Sequence, residues 1–233
     1  MSVCIYFIRH GESEANVFDK LTHDVYDRLM KLQCFSSEID TMLQDPCLTI
    51  NGIMQSKMCG DKISKIKFDA VLCSPLFRAI QSAAYIFEHT NSKIELCIQA
   101  REIEWDCYEC KGRLLKDIEN GIIPNSNSRR PRLDDLPNGK NKFENLESIE
   151  NNSIYWNPKL EESLDYEELK IKMYENIQSF YTLLEKYQGK TIAIVCHGNL
   201  ISELLKIHYI NNCQIVKCSY SKVCGFNIKE IIN

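Results

Sequence analysis

Two segments far apart in the chain share one design. Val3 to Ile8 is an apolar run that ends in Arg9-His10-Gly11, and Ile192 to Cys196 is an apolar run that ends in His197-Gly198-Asn199. A short continuous apolar run bounded in this way reads as a strand buried on both faces. In each case glycine breaks the strand and a helical stretch follows. One histidine at a strand end is usually structural. Two at matching positions, each followed by glycine, point to a common site.

The rest of the pattern supplies the remaining layers. Leu48-Thr49 reads as a helix entry capped by Thr49, with Ile53, Met54, Lys57 and Met58 at helical spacing behind it. Phe68 to Cys73 is a second buried strand. Pro75 is expected in the first turn of the next helix, where its missing N–H costs nothing. Lys93 to Ile98 is a third strand, Leu164 to Tyr187 a long amphipathic helix and Lys190 to Cys196 a fourth strand. A helix from Gly198 through Ile207 follows, then a hairpin from Cys213 to Ile228 around Ser221-Lys222.

Strands alternating with helices imply an α/β fold of three layers, α/β/α, with a mainly parallel central sheet. Functional groups in such sheets gather beyond the carboxyl ends of the strands. His10, Ser74 and His197 all fall there. The 233 residues are read as a single catalytic domain over 1–233. Insertions are placed near 17–45, with a helix around Leu29, Leu32 and Phe35, and near 120–160. The second is rich in Asn, Ser and Pro, carries Arg129-Arg130-Pro131-Arg132, and reads as a long loop or lid.

Composition narrows the partners. A net charge of -4 gives no basic stripe for nucleic acid, so a phosphate site must be a local basic pocket on an acidic body. No apolar run is long enough to span a bilayer, and the N-terminal segment lacks a basic leader, so a cytoplasmic protein with no membrane partner is expected. The 12 cysteines are irregularly spaced and read as free thiols. Cys107-Tyr-Glu-Cys110 stands alone, without the second pair that a zinc site wants. Oligomeric state has no signature in the chain.

The chemistry follows from residue types. A neutral imidazole at His10 can attack phosphorus and become phosphohistidine. Arg9 offers a planar charged fork to phosphoryl oxygens, and Gly11 would let the backbone approach the anion. Arg78, one helical turn past Ser74-Pro75, could reach the same group, although alone it reads as a helix-surface arginine.

Taken together, these pieces resemble the histidine phosphatase superfamily, in its phosphoglycerate mutase-like branch. The matching segments are Arg9-His10-Gly11-Glu12-Ser13-Glu14-Ala15-Asn16, Leu48-Thr49-Ile50-Asn51-Gly52 with Gln55, Ser74-Pro75 with Arg78-Ala79, Arg101-Glu102-Ile103, Glu162-Ser163-Leu164 and His197-Gly198-Asn199. The resemblance implies that His10 is the nucleophile. It implies that Arg9, Arg78, His197 and Gly198 bind the phosphoryl group, with Ser13 and Asn16 assisting. Glu102 would be the general acid and then the base that activates water, with Glu104 and Asp106 as alternatives. Arg9, Arg78 and the two histidines would take the place of a metal.

The segment after Glu102 departs from the mutase pattern Glu-Arg-His-Tyr-Gly. The expected activity is therefore hydrolysis of a small phosphorylated metabolite, with no cofactor. The alternative is a mutase dependent on 2,3-bisphosphoglycerate, for which Arg129-Arg130 would be the substrate-binding pair. An inactive interaction module of the same fold is a distant third.

Overall fold

The computed structural model describes residues 1–22, 43–103, 110, 112–113, 115–122, 130–146 and 166–233. The helix expected around Leu29, Leu32 and Phe35 lies outside these residues, as do Glu104, Asp106, Arg129 and Glu162-Ser163-Leu164.

In chain order the elements are β1 (Val3–Arg9), α1 (Glu14–Thr22), α2 (Ile50–Ile63), β2 (Ala70–Cys73), α3 (Phe77–Ile86), β3 (Ile94–Leu96), α4 (Leu115–Asn120), β4 (Phe143–Glu144), α5 (Tyr166–Glu185), β5 (Thr191–Cys196), α6 (Gly198–Leu205), β6 (Ile215–Ser221) and β7 (Gly225–Ile232). The described strands form one seven-stranded sheet in the order β4-β3-β2-β5-β1-β6-β7. Strands β4, β3, β2, β5 and β1 are mutually parallel, and the β6–β7 hairpin closes one edge antiparallel to β1.

Alternation along β1 divides the core. Val3, Ile5 and Phe7 join a cluster with Phe180 and Leu184 of α5 and Leu200, Ile201 and Leu204 of α6. Tyr6 and Ile8 join the opposite cluster, with Cys59 and Ile63 of α2 and Phe77, Ile80 and Ala83 of α3. This is the expected three-layer arrangement. Each fully buried Ile, Leu or Phe contributes roughly 1.5–3 kcal/mol, which favours this register over its one-residue slips.

Register is what positions the site. Arg9 lies opposite Cys196 and Cys73 opposite Val195, so three strands stop within one residue of each other. The next residues, His10, Ser74 and His197, therefore leave the same end of the sheet. The ladder continues for one step: His10 N–H donates to Cys196 O at 3.0 Å and Ser74 N–H to Val195 O at 2.9 Å.

Four local readings are corrected. Pro75 is not in the first turn of α3, whose N-cap is Leu76; the buried Asp45 carboxylate accepts the Phe77 N–H at 2.7 Å and fixes the start there. The third strand is shorter than expected and gives way to a 3-10 turn, Ile98–Ala100. The segment read as a loop contains 3-10 turns at Leu133–Asp135 and Lys140–Lys142 and the edge strand β4. Cys213 stands outside the hairpin at φ 56°. Among the described residues no helix is long and apolar enough to cross a membrane.

Candidate active site

His10 is buried, and its Nδ1 lies 2.7 Å from Gly11 O, which can only accept. The proton of the neutral ring therefore sits on Nδ1, and Nε2 carries the lone pair. Nε2 in turn accepts from Arg78 Nε at 3.2 Å. Burial, then the charges of Arg78 and Arg9, hold the His10 pKa well below its ordinary value, so the ring is neutral near pH 7.

His197 packs its ring 5.1 Å from that of His10 and is fully buried. Its Nε2 meets Ser74 Oγ at 2.7 Å, while Ser74 Oγ accepts the Leu76 N–H at 3.2 Å. In this contact either the serine hydroxyl or Nε2–H can donate. Burial, Arg78, His10 and Arg9 keep this ring neutral as well.

A pocket of about 180 Å³ opens over these strand ends, walled by Arg9, His10, Asn16, Arg78, Glu102, Gly198 and Asn199. Tyr209, His208, Ser202, Ile210 and Asp19 complete its rim. Arg9 is held by Ile210 O and lies under the Tyr209 ring, 5.6 Å from its centroid. Gly198 packs closely beside it, so that a Cβ there would stand 3.2 Å from Arg9 Nε. His197 backs onto His10 without lining the pocket wall.

Glu102 arrives from the 3-10 turn after β3. Its Oε1 accepts Ile103 N–H at 2.9 Å and Leu200 N–H at 3.0 Å, and its Oε2 accepts Asn199 N–H at 3.4 Å. The Asn199 and Leu200 amides lie in the first turn of α6, whose N-cap His197 makes no side-chain cap bond. The carboxylate is therefore both a pocket wall and the cap of the helix that follows His197.

Further residues named from the sequence have defined places in the structure. Ser13 lies outside the pocket wall: its Oγ accepts Asn16 N–H at 3.3 Å, while Asn16 Oδ1 accepts Ser13 N–H at 3.2 Å. This reciprocal pair caps α1. Asn16 does reach the pocket. Gly11 is needed for packing, since a Cβ on it would stand 2.4 Å from Gly52 O in α2. Arg130, read as a solvated loop arginine or half of a substrate-binding pair, is nearly buried and ion-paired to Glu14.

Sequence reasoning missed the supports. The Asp45–Arg113 ion pair is completely buried at 3.2 Å and holds the start of the helix that carries Arg78. Asn212 Nδ2 donates to His10 O at 3.1 Å and to Asn16 Oδ1 at 3.0 Å. Cys110 Sγ receives Arg78 Nη2 at 3.8 Å. Among the described residues, no cluster of three or more His, Cys, Asp or Glu side chains could hold a metal.

A buried histidine thus turns its lone pair to a buried arginine beyond the carboxyl ends of a parallel sheet. Residues 5–151 match the histidine phosphatase superfamily (branch 1), and the chain belongs to it. Solved structures share the fold across nearly the whole length. The α-ribazole phosphatase from Shigella flexneri is similar at 17% identity and TM-score 0.56, with 99% of this chain and 96% of that one covered. A phosphoserine phosphatase mutant from Entamoeba histolytica, solved with phosphoserine, is similar at 19% and 0.54, covering 98% and 96%. A phosphoglycerate mutase from Bacillus anthracis is similar at 17% and 0.53, covering 98% and 92%. Comparison with curated proteins finds no match.

Proposed function

We propose that the chain is a phosphomonoester hydrolase that acts on a small phosphorylated metabolite through phosphohistidine at His10, without a metal. One observation carries this reading: the Nδ1–H of His10 is tied to Gly11 O, which leaves Nε2 as the lone pair beside Arg78 in the pocket. A nucleophile needs that tautomer, and the Gly11 carbonyl stabilises the positive ring that forms as the N–P bond does.

The steps follow from the geometry. The phosphoryl group displaces Arg78 from Nε2, and Arg78 and Arg9 then bind its equatorial oxygens. Arg9 Nε is buried with no partner among the described residues, and the pocket beside it can supply an anion. Glu102 gives a proton to the leaving alkoxide and next takes one from the attacking water. Water then cleaves the N–P bond and restores His10. The pocket volume suits a small alcohol as leaving group.

Hydrolysis is favoured over phosphoryl return because Arg130 is engaged by Glu14 outside the pocket wall. That ion pair leaves a mutase without one of its two expected loop cations. The test is a rapid-quench reaction with labelled phosphomonoester, followed by alkaline digestion. Label on His10 and release of free phosphate are expected. Label elsewhere refutes the nucleophile, and isomerisation of 3-phosphoglycerate ahead of phosphate release would establish the mutase instead.

A further inference from the structure

The Arg9-His10 dipeptide is braced from behind by a loop with no recognisable motif. Ile210 O accepts from Arg9 Nη1, and Asn212 Nδ2 donates to His10 O. The Cys213 N–H is shared between Arg9 O at 3.0 Å and His10 O at 3.3 Å. Cys213 takes a left-handed conformation, φ 56°, to make that bond, and its thiol faces α2. There Ser56 Oγ lies 3.6 Å from Cys213 Sγ, and Cys59 and Cys213 belong to the same buried cluster. Ser56 and Cys59 are one turn apart on the buried face of α2.

A second cavity, about 330 Å³, is lined by Met58, Lys62, Asn212 and Cys213. It gives small molecules a route to Cys213, whereas Cys59 is fully buried and lies outside its lining. We propose that Cys213 and Cys59 are an oxidation site, at which a hydroperoxide converts the two thiols into a disulfide that ties α2 to the Arg9-His10 brace and lowers activity.

The steps balance with hydrogen peroxide as oxidant. The Cys213 sulfur attacks one peroxide oxygen; an S–O bond forms, the O–O bond breaks, and hydroxide leaves and is protonated to water. The Cys59 sulfur then attacks the Cys213 sulfenic acid. The S–S bond forms, the S–O bond breaks, and the second hydroxide leaves as water with the Cys59 proton. Two thiols lose two electrons and one peroxide becomes two waters.

The environment assigns the roles. The neighbouring Cys59 and Ser56, with the charges of Lys62 and Arg9, draw the Cys213 thiol below its ordinary pKa against the effect of burial. The neighbouring Cys213 and burial push Cys59 well above it. The buried thiols of Cys97 and Cys218 are pushed up to about 12, chiefly by burial, and are inert by comparison.

The test treats the whole protein with hydrogen peroxide, blocks remaining thiols and maps peptides by mass. A Cys59–Cys213 cross-linked peptide is expected, together with a loss of p-nitrophenyl phosphate turnover on the order of tenfold, reversed by dithiothreitol. Cys59→Ala should keep its activity under peroxide and accumulate dimedone-reactive sulfenic acid at Cys213. Cys224→Ser, which removes an exposed thiol, should behave as the parent. Oxidation elsewhere with no such cross-link overturns the site, and a cross-link without change in turnover overturns the tether. The inference of lowered activity rests on the hydrolase reading. The cross-link does not, so the two can fail separately.

Discussion

Glu102 Oε1 accepts the Leu200 N–H at 3.0 Å, so a residue from the turn after β3 closes the helix that begins after His197. One carboxylate is asked to do two things. As a cap it stabilises α6, and in the proposed mechanism it also carries the proton for the leaving group and then the water.

Substitution separates these roles. Glu102→Gln keeps an oxygen for Leu200 and loses the proton, so turnover should fall by about 10²–10⁴ with little change in melting temperature. Glu102→Ala loses both, adding roughly 0.5–2 kcal/mol of destabilisation. Steady-state kinetics and thermal melts on both variants decide it. Near-parental turnover in the Gln variant would move the proton carrier elsewhere.

Arg78→Ala should lower turnover about a hundredfold, some 3 kcal/mol, because its guanidinium faces the position where charge develops. Arg130→Ala should lower the melting temperature and leave turnover nearly intact, since its partner is Glu14. Equal kinetic losses in the two variants would show that the pocket extends to Arg130.

Breaking the buried Asp45–Arg113 pair strands a charge. Arg113→Met should cost about 3–5 kcal/mol in urea unfolding, and adding Asp45→Asn should recover part of it. Additive losses in the double variant would mean that the two residues act independently.

Both histidines have folded-state pKa values below their ordinary 6.5. Below about pH 6.5 the unfolded chain therefore binds protons that the folded chain resists. Stability should fall as pH drops from that value toward the lowered one, by at most about 1.4 kcal/mol per pH unit for each ring, and this contribution is constant above it. Urea midpoints between pH 7.5 and 5.5 should show a shallower slope for His197→Gln than for the parent. Identical slopes would remove His197 from the titration.

The strand ends were readable in the sequence because Val3–Ile8 and Ile192–Cys196 are uninterrupted apolar runs, and because histidine then glycine follows each. Glu102 was readable only through its resemblance to the family, since Glu104 and Asp106 are equally plausible acids by chemistry alone. The brace at Ile210, Asn212 and Cys213 acts largely through backbone groups, which leave no mark on residue type. Asp45 and Arg113 are isolated charges far apart in sequence, and only the fold shows that they meet. The crossing of Gly11 with Gly52 is visible only once α2 is in place.

The strand that carries His10 has both neighbours at the other end of the chain: β5 on one side and β6 on the other. During synthesis Val3 to Ile8 emerges well before its partners and stays apolar and unpaired until Thr191–Ser221 has left the ribosome. Such long-range closure is slow and leaves the waiting strand open to pairing with other chains. It also means that a chain ending before β5 lacks His197, Gly198 and the amides that receive Glu102. A product that ends there cannot form the pocket, so activity should appear only after the segment through α6 has been made.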